Sequence, residues 1–365
     1  MSTNPNKTDN SFFMKLALLQ ANMVLGNTQA NPAVGCVIVK DNSIVSAGST
    51  GINGTPHAEN VAINLYKKKV KDEKLFTTLE PCSHYGKTPP CVNLIVKKKF
   101  KKVFFSIKDP DFRSFNKSSL KFLKNKIAVQ NGLLNTEVQD FYRSYIKFKK
   151  RNIPFVTAKI AVSKDLYSKN LKKKWITNIY SRGRVHMLRS EHDVILTSVK
   201  TIIDDNPLLT CRIPGLEQRS PTRIILDKNL KIPKGSKIVR SAKKFNTIIF
   251  FNKYNKKKIN FLKKNKIKLI KANIYNQNLD LKKILTKIKN LGFSRVFLES
   301  GIKLTSVFMS NKLVDDFYMF ISDNKIKKNG NLSFKKFMRL YLINKKIIEP
   351  KVNLFGDKLI LYKLK

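Results

Sequence analysis

The sequence is short of acidic residues and of cysteine, and it has no long uninterrupted apolar run. Asp and Glu number 24 against 73 Lys and Arg in 365 residues, which gives a formal net charge of +49. Four cysteines in so long a chain do not form a disulfide framework. No stretch approaches the ~18 apolar residues of a membrane-spanning helix, and the first residues, MSTNPNKTDNSFF, lack the pattern of a secretory signal. We therefore expect a reducing, cytoplasmic setting.

The excess of basic residues first suggests a polyanionic partner, such as nucleic acid or an anionic membrane. The lysines, however, recur along the whole chain, as at Lys67–Lys69 and Lys256–Lys258, and neither end carries a basic tail. Drift toward Lys, Asn and Ile at tolerant surface positions produces this distribution. We interpret most of the charge as compositional. The alternative is a protein that binds RNA and acts on a tRNA base, for which tight, salt-sensitive binding is expected.

Apolar residues are plentiful enough to build cores. They make up 42% of the chain, which excludes a wholly disordered protein, and the length suits two domains of roughly 150 residues. In the first part, a helix is predicted over 11–26 with Ser11 as its cap and Gly26 as its end, and another over 57–69. Buried-strand runs lie between these helices and after them, so the alternation predicts an α/β layered sheet.

A polar and basic segment, KFKKRNIPF at 147–155, is the candidate linker. A new alternation of strands and helices follows it. Its predicted strands are 155–163, 194–198, 223–227, 247–251, 296–300 and 316–322. We therefore predict two α/β domains, one over 1–148 and the other over 153–365.

Potential metal ligands are concentrated in the first domain. His57, Cys82 and Cys91 follow one another in the contexts HAE, PC and PPC. Histidine and cysteine are the usual protein ligands of Zn²⁺, and three of them leave one tetrahedral position for water. Glu59 lies two residues after His57, beside the metal without being a ligand, where it can move protons. This is the arrangement of a zinc deaminase, although eight residues separate the two cysteines where nucleobase deaminases have two.

The separating segment, PCSHYGKTPPC at 81–91, carries a resemblance to a known family. Together with HAE and with NPAVGCVIV at 31–39, it resembles the bifunctional deaminase–reductase family of riboflavin biosynthesis. The resemblance continues to about residue 322. It implies that His57, Cys82 and Cys91 bind zinc and that Glu59 shuttles protons.

The resemblance also implies the first substrate, a diaminopyrimidinone that carries a ribosylamino 5-phosphate. Water would replace its exocyclic amine and release ammonia. Asn31, His84 and Lys87 are polar groups close to these motifs in the sequence, and each is a candidate for contacting the pyrimidine or the phosphate. An ordinary role in a turn is the alternative for each of them.

The second domain resembles the reductase half of the same family, a dihydrofolate-reductase-like fold that uses NADPH. KWIT at 174–177, KTIIDDNPLLTCR at 200–212 and LESG at 298–301 carry this resemblance. The implied reaction reduces the ribosyl group to a ribityl chain. The implied NADPH contacts are Trp175, Thr201, Asp205, Gly301, Ile302 and Lys303. The implied substrate contacts are Arg189, Leu209, Arg212 and Glu299.

The sequence departs from the pattern of the reductase half in three places. Leu166 follows the aspartate where the family has glycine, Lys172–Lys174 replace small and acidic residues, and Ser300 replaces a glycine. A deaminase with a degenerate, structural reductase half is therefore the alternative to the bifunctional enzyme. The expected partners are a small phosphorylated pyrimidine, with neither nucleic acid nor membrane. Self-association into a homo-oligomer stays open.

Overall fold

The computed structural model describes residues 9–86 and 88–365. The chain divides into two compact units, Met1–Asn152 and Ile153–Lys365. Within the described residues, no helix combines the length and the apolar character that crossing a membrane requires.

The first unit is an α/β sheet with helices packed on it. Its strands are β1 (Gly35–Lys40), β2 (Ser43–Ser49), β3 (Lys74–Leu79), β4 (Lys102–Ile107) and β5 (Ala128–Asn131). Its helices are α1 (Asn10–Met23), α2 (Ala58–Leu65), α3 (Cys91–Lys98), α4 (Lys117–Lys124), α5 (Asn135–Phe141) and α6 (Arg143–Lys150). The strand order is β2-β1-β3-β4-β5. Strands β3, β4 and β5 run parallel, so their carboxyl ends share one edge of the sheet.

Local sequence explains the antiparallel start of this sheet. Asp41 and Asn42 both have positive φ, which makes the two-residue turn whose twist suits a β-hairpin between β1 and β2. Gly35 opens β1 where α1 crosses it. A β-carbon there would lie 1.9 Å from the carbonyl oxygen of Ala17, so only glycine lets the helix approach this closely.

The second unit is a larger α/β layer. Its strands are β6 (Phe155–Val162), β7 (Tyr167–Asn170), β8 (Val194–Ser198), β9 (Thr222–Leu226), β10 (Thr247–Phe251), β11 (Lys268–Lys271), β12 (Ile274–Tyr275), β13 (Asn278–Leu279), β14 (Arg295–Glu299), β15 (Asp316–Ile321), β16 (Gly330–Ser333), β17 (Lys346–Ile348) and β18 (Lys358–Lys363). Its helices are α7 (Ile179–Ser190), α8 (Val199–Asp205), α9 (Lys237–Arg240), α10 (Lys256–Lys264), α11 (Leu281–Asn290), α12 (Ile302–Ser310) and α13 (Lys335–Tyr341).

The main sheet of this unit has the order β11-β10-β9-β8-β14-β6-β15-β18-β17, and it separates two apolar cores. Alternate residues of a strand point to opposite faces. Val296 and Leu298 of β14 accordingly join one core, while Phe297 between them joins the other. Strands β8, β14, β6 and β15 run parallel in the middle. Two small ladders, β12-β13 and β16-β7, lie outside the main sheet.

The predicted N-terminal helix has the wrong bounds. It begins at Asn10 rather than at Ser11 and ends at Met23, three residues before Gly26. Its cap is Asp9, whose carboxylate accepts a hydrogen bond of 3.1 Å from the backbone N–H of Ser11. A carboxylate satisfies a free N–H of the first turn and interacts favourably with the helix dipole, so Asp9 takes the cap position.

The helix predicted over 57–69 is also wrong at its end, because α2 stops at Leu65. Tyr66 leaves the helical conformation and turns its ring into the core, where only 7% of the residue is exposed. Its hydroxyl donates a hydrogen bond of 2.7 Å to the buried carboxylate of Glu73. A buried carboxylate is costly without hydrogen-bond partners. The chain therefore gains more by turning Tyr66 toward Glu73 than by extending the helix through Lys67–Lys69.

The predicted linker is wrong over its first half. Residues 147–150 form the last turn of α6, and Phe155 already begins β6, so the connection is confined to 151–154. The basic composition of this turn suggested a loop, but Tyr145 and Ile146 on the same helix pack against the core of the first unit. Burial of this apolar face holds the helix together to Lys150.

A buried histidine should make the second unit sensitive to acid. The carbonyl oxygen of Leu188 accepts from Nδ1 of His192 at 2.6 Å, and Nε2 accepts from the hydroxyl of Thr157 at 2.9 Å. Burial lowers the pKa of His192 well below its usual value, so the folded protein keeps it neutral while the unfolded chain takes up a proton. Stability is therefore retained above about pH 6.5 and falls below it by up to ~1.4 kcal/mol per pH unit.

Urea unfolding followed by the emission of Trp175, the single tryptophan, measures this effect. The free energy of unfolding should fall more steeply between pH 6.5 and pH 5 in the wild type than in His192→Gln, whose amide does not titrate. Equal slopes for the two proteins would show that His192 is not the group responsible.

Candidate functional site

The first unit brings three predicted metal ligands to the carboxyl edge of its sheet. His57 immediately precedes α2, Cys82 follows the end of β3, and Cys91 is the first residue of α3. Pro81 cannot continue the ladder, so the chain leaves β3 there and turns Cys82 toward the helices. Each side chain is thereby fixed by the end of a regular element.

The spacing of these three side chains suits a tetrahedral ion. Nδ1 of His57 lies 3.3 Å from Sγ of Cys91 and 3.4 Å from Sγ of Cys82, and all three ligand atoms lie within 4.8 Å of one another. Tetrahedral zinc with ordinary bond lengths separates a nitrogen from a sulfur ligand by roughly 3.5 Å. Hydrogen bonding from Cys91 and His57 holds the pKa of the Cys82 thiol well below its usual range, which favours the thiolate that a metal needs.

Glu59 lies in the first turn of α2 and is 4% exposed. Its Oε2 is 3.5 Å from Sγ of Cys91, so the carboxylate is beside the three ligands. Burial raises the pKa of Glu59 to about 6, and the charge of Cys82 adds to this shift. A carboxyl group that titrates near neutral pH can both accept and return a proton.

The other polar candidates of the first unit have different surroundings. Nδ1 of His84 is 2.8 Å from Oγ of Ser114, a fully buried residue that the sequence did not single out. Asn31 donates a hydrogen bond of 3.0 Å to the carbonyl oxygen of Gly54 and so helps to hold that loop. Lys87 lies outside the described residues.

Glu80 fastens a second loop to the end of β3. Its buried carboxylate accepts hydrogen bonds from the N–H groups of Asp109, Asn116 and Ser118 and from the Ser118 hydroxyl. Four donors stabilise a charge that would otherwise be costly to bury. The loop that carries Ser114 is therefore held next to the segment that carries Cys82.

An ion cluster on this loop was not predicted from the sequence. Arg113 donates to both carboxylate oxygens of Asp111, at 2.9 and 2.6 Å, and Nζ of Lys149 donates to the same carboxylate at 2.8 Å. Lys149 and Asp111 are 38 positions apart in the sequence, so no local motif predicts their contact. These hydrogen bonds hold the pKa of Asp111 well below its usual range.

In the second unit, the predicted substrate residues Arg189 and Glu299 form a bidentate pair. Nε and Nη2 of Arg189 each lie 2.9 Å from an oxygen of Glu299. Lys159 stands opposite Glu299 in the β6–β14 register, with Nζ 3.9 Å from its carboxylate. Burial would raise the pKa of Glu299, but Arg189 and Lys159 outweigh it and lower the value to about 2.

Lys159 was missed at the sequence level, although a lysine inside the apolar strand run FVTAKIAV was a usable signal. Burial lowers its pKa. The pairing also limits the role open to Arg189, because its guanidinium is engaged by Glu299. Contact of Arg212 with the substrate stays a prediction. Arg212 is exposed and faces solvent.

The loop that contains Leu209 and Arg212 is hydrogen-bonded to Arg189 and to His186 on α7. Arg189 donates to the carbonyl oxygen of Thr210 at 2.9 Å, and Nδ1 of His186 accepts from the N–H of Arg212 at 3.1 Å. Burial and the two arginines lower the pKa of His186 to about 4, so it is a neutral acceptor. Leu209 adopts a positive φ of 57° and is buried.

The predicted cofactor residues fall into two groups. Thr201 lies in the first turn of α8, and its Oγ1 is 3.4 Å from Oγ of Ser300, which precedes the cap Gly301 of α12. Ile302 and Lys303 supply the first turn of α12, where unpaired N–H groups can receive a phosphate. Because Glu299, Ser300 and Gly301 are consecutive, this group of predicted cofactor residues adjoins the Arg189–Glu299 pair in the chain.

Asp205 and Trp175 form the second group, and each lies near Lys174. Asp205 ends α8. Burial and the charge of Asp204 raise the pKa of Asp205, and the charges of Lys169, Lys174 and Lys159 offset only part of this rise. The Trp175 ring is 57% exposed, with Nζ of Lys174 5.4 Å from the ring centroid.

Comparison with known families assigns both units. Residues 7–107 match the family model described as the cytidine and deoxycytidylate deaminase zinc-binding region. Residues 154–323 match the RibD C-terminal domain. The predicted fold class, a cytidine-deaminase-like zinc domain followed by a reductase domain, is confirmed by these matches.

Relatives of known name match the chain along most of its length. The chain is 32% identical to the riboflavin biosynthesis protein RibD of Aquifex aeolicus over 356 residues, which cover 96% of this chain and 97% of the relative. It is 31% identical to RibD of Chlamydia trachomatis over 308 residues, covering 83% and 82%.

A solved structure agrees with these relatives. The diaminohydroxyphosphoribosylaminopyrimidine deaminase/5-amino-6-(5-phosphoribosylamino)uracil reductase of Thermotoga maritima superposes with a TM-score of 0.83 at 28% identity, covering 97% of this chain and 98% of that one. With both family models matched in order and a relative alike along nearly its full length, the chain belongs to the RibD family of bifunctional riboflavin-biosynthesis deaminase–reductases.

Proposed function

We propose that this chain catalyses two successive reactions of riboflavin biosynthesis. Residues 1–148 deaminate 2,5-diamino-6-ribosylamino-4(3H)-pyrimidinone 5-phosphate, with water entering at C2 and ammonia leaving. Residues 153–365 then reduce the ribosyl group to a ribityl chain with hydride from NADPH. The observation that carries this proposal is the cluster of His57, Cys82 and Cys91 with Glu59 beside it, in a chain that also matches the RibD C-terminal domain over 154–323.

In the deaminase half, the residues hold the metal and move protons. His57, Cys82 and Cys91 would hold Zn²⁺, which when bound lowers the pKa of a coordinated water toward neutrality. Glu59 takes the two protons of the attacking water in turn at its carboxylate, and it passes the first to the ring nitrogen and the second to the departing amine. Its raised pKa, about 6, suits both steps, because the carboxylate is mostly ionised near pH 7 and can accept a proton, yet it holds that proton more firmly than an exposed glutamate would.

In the reductase half, the nicotinamide supplies the hydride and the protein orients both reactants. Thr201, Ser300 and the first turn of α12 lie together and would bind the cofactor. Glu299, held by Arg189 and faced by Lys159, would bind the sugar hydroxyls at the carboxyl ends of the parallel strands.

The alternative of a degenerate reductase half has no finding in its favour. The family model for this half matches over 154–323, and the Arg189–Glu299 pair is intact. The Leu166 departure is accommodated, since Leu166 takes a positive φ of 64° while its side chain packs against the core. The Ser300 departure is accommodated too, since the Ser300 hydroxyl lies within hydrogen-bond distance of the hydroxyl of Thr201, a predicted cofactor contact.

We further propose that the protein works in the reducing cytoplasm. Its cysteines are free thiols, and Cys82 and Cys91 must stay reduced to bind a metal. The partner is a small phosphorylated pyrimidine, whose anionic groups need only a few basic residues. Self-association into a homo-oligomer stays a prediction.

Metal removal tests the deaminase assignment. Zinc-loaded protein should release ammonia from the diaminopyrimidinone phosphate, and treatment with a chelator should abolish this release until zinc is restored. The same treated protein should still oxidise NADPH when it receives the deaminated uracil. Deamination that withstands complete loss of bound zinc would overturn the proposed mechanism.

A further inference from the structure

The C-terminal segment 324–334, which contains β16, lies just beyond the residues that match the reductase family model. It runs along residues 163–171, which contain β7 and lead to Lys172–Lys174 and Trp175. We propose that segment 324–334 is a positioning element of the reductase: it sets the conformation of 163–175 and thereby the affinity for the nicotinamide cofactor. This inference rests on the proposed reductase function.

Hydrogen bonds join the two segments at their first contact. The carboxylate of Asp165 accepts from the N–H of Ile326 at 3.0 Å and from that of Lys327 at 2.8 Å, and the Ser163 hydroxyl donates to it at 2.6 Å. Burial would raise the pKa of Asp165, but these donors lower it to about 2. The carboxylate therefore stays charged and keeps hold of the backbone of the C-terminal segment.

The contact then continues as a strand ladder. Strand β16 pairs antiparallel with β7, with Gly330 opposite Asn170 and Ser333 opposite Tyr167. The N–H of Leu171 donates to the carbonyl oxygen of Asn329 at 3.0 Å. Nearly the whole of 163–171 is thus held from one side by the C-terminal segment.

The C-terminal segment is itself fixed to the core. Phe334 is fully buried and stacks on Phe317 of β15 and on Phe337 of α13. Its N–H donates to the carbonyl oxygen of Leu166 at 2.8 Å, which helps to hold that residue at its positive φ. A rigid aromatic cluster therefore carries the strand against which β7 is built.

The far end of the held segment reaches the cofactor residues. The side chain of Asn170 accepts from the N–H groups of Lys172 and Lys173, at 2.9 and 3.2 Å, and so directs the chain toward Trp175. Lys174, next in the chain, lies near Asp205, a predicted NADPH contact. A shift of β7 would therefore move this side of the predicted cofactor site.

Gly330 offers a selective test of the contact. A β-carbon at this position would lie 2.4 Å from Cγ and Cδ2 of the Tyr167 ring, so alanine must displace that ring and disturb the contact between β7 and β16. Gly235 is the matched control in the same unit, because a β-carbon there meets no atom within 4 Å. Energy transfer from Trp175, the single tryptophan, to bound NADPH measures the dissociation constant directly.

We expect Gly330→Ala to raise the dissociation constant and the KM for NADPH by about tenfold, with a smaller change in kcat. Gly235→Ala should match the wild type. Adding Tyr167→Ser removes the ring that the new methyl group meets, so the double variant should bind NADPH as Tyr167→Ser alone does. A general loss of stability would instead lower the melting temperature and leave the NADPH dissociation constant of the folded protein unchanged.

If Gly330→Ala does not fold, Asp165→Asn is the second variant to test. Its amide has one oxygen, so it no longer accepts from the N–H groups of both Ile326 and Lys327. The same weakening of NADPH binding is expected. Unchanged NADPH affinity in the folded variant would overturn the positioning role while leaving the reductase assignment intact. Failure of the wild type to bind NADPH would overturn the proposed function and this inference with it.

Discussion

Glu59→Gln is expected to lower the rate of ammonia release by about 10³-fold while zinc remains bound. The amide has nearly the shape of the carboxyl group but does not accept a proton, so the shuttle between water, ring nitrogen and departing amine is lost. The side chain is 4% exposed, and solvent cannot easily take over its role. Ammonia release per bound zinc is the quantity to measure.

Glu73→Gln is the matched control, since Glu73 is another fully buried carboxylate of the same unit. It bonds the hydroxyl of Tyr66 rather than any predicted metal ligand. The folded Glu73 variant should deaminate at nearly the wild-type rate. A Glu59 variant that retains full activity would remove Glu59 from the mechanism.

Arg223→Met is expected to reduce the free energy of unfolding of the second unit by about 3–5 kcal/mol. Arg223 is 0% exposed on β9, and burial lowers its pKa to about 10. Its guanidinium donates to Oγ1 of Thr247, to Oγ of Ser241 and to three carbonyl oxygens. Those carbonyl groups belong to Leu208, Ile238 and Phe245.

Methionine fills similar space but leaves these buried acceptors without a donor, which accounts for the size of the expected loss. Arg223→Lys should recover only part of it, because an ammonium group has three donors and lacks the planar fork. Urea unfolding followed by Trp175 emission measures both variants. The exposed residue Arg240 is the control: Arg240→Met should change the free energy by less than about 0.5 kcal/mol. A loss below ~1 kcal/mol for Arg223→Met would refute the bonding network.

The sequence contained enough to predict the central strands and the cluster of three candidate metal ligands. Parallel strands buried on both faces appear as continuous apolar runs, such as TIIFF at 247–251, so their positions are readable. His57, Cys82 and Cys91 were readable because each stands in a short specific motif at the end of an element. Helix ends were less predictable, because partners distant in the chain decide them, as Glu73 does for Tyr66.

Long-range contacts account for what sequence patterns did not reveal. Lys159 and Glu299 are 140 positions apart and meet only through strand register. The Asp111 cluster requires α6 to fold back on the loop after β4. The contact of β7 with β16 lies outside any motif. Most of the +49 charge, by contrast, comes from lysines scattered along the chain.

The most direct test follows both products from one substrate. Zinc-loaded wild-type protein receives the diaminopyrimidinone phosphate and NADPH, while ammonia and the nicotinamide absorbance are recorded together. Ammonia should appear first, and NADPH should then be oxidised mole for mole after a lag that vanishes when the deaminated uracil is supplied instead. A bifunctional enzyme would be contradicted if the diaminopyrimidinone phosphate released ammonia but NADPH was oxidised with neither that substrate nor the deaminated uracil.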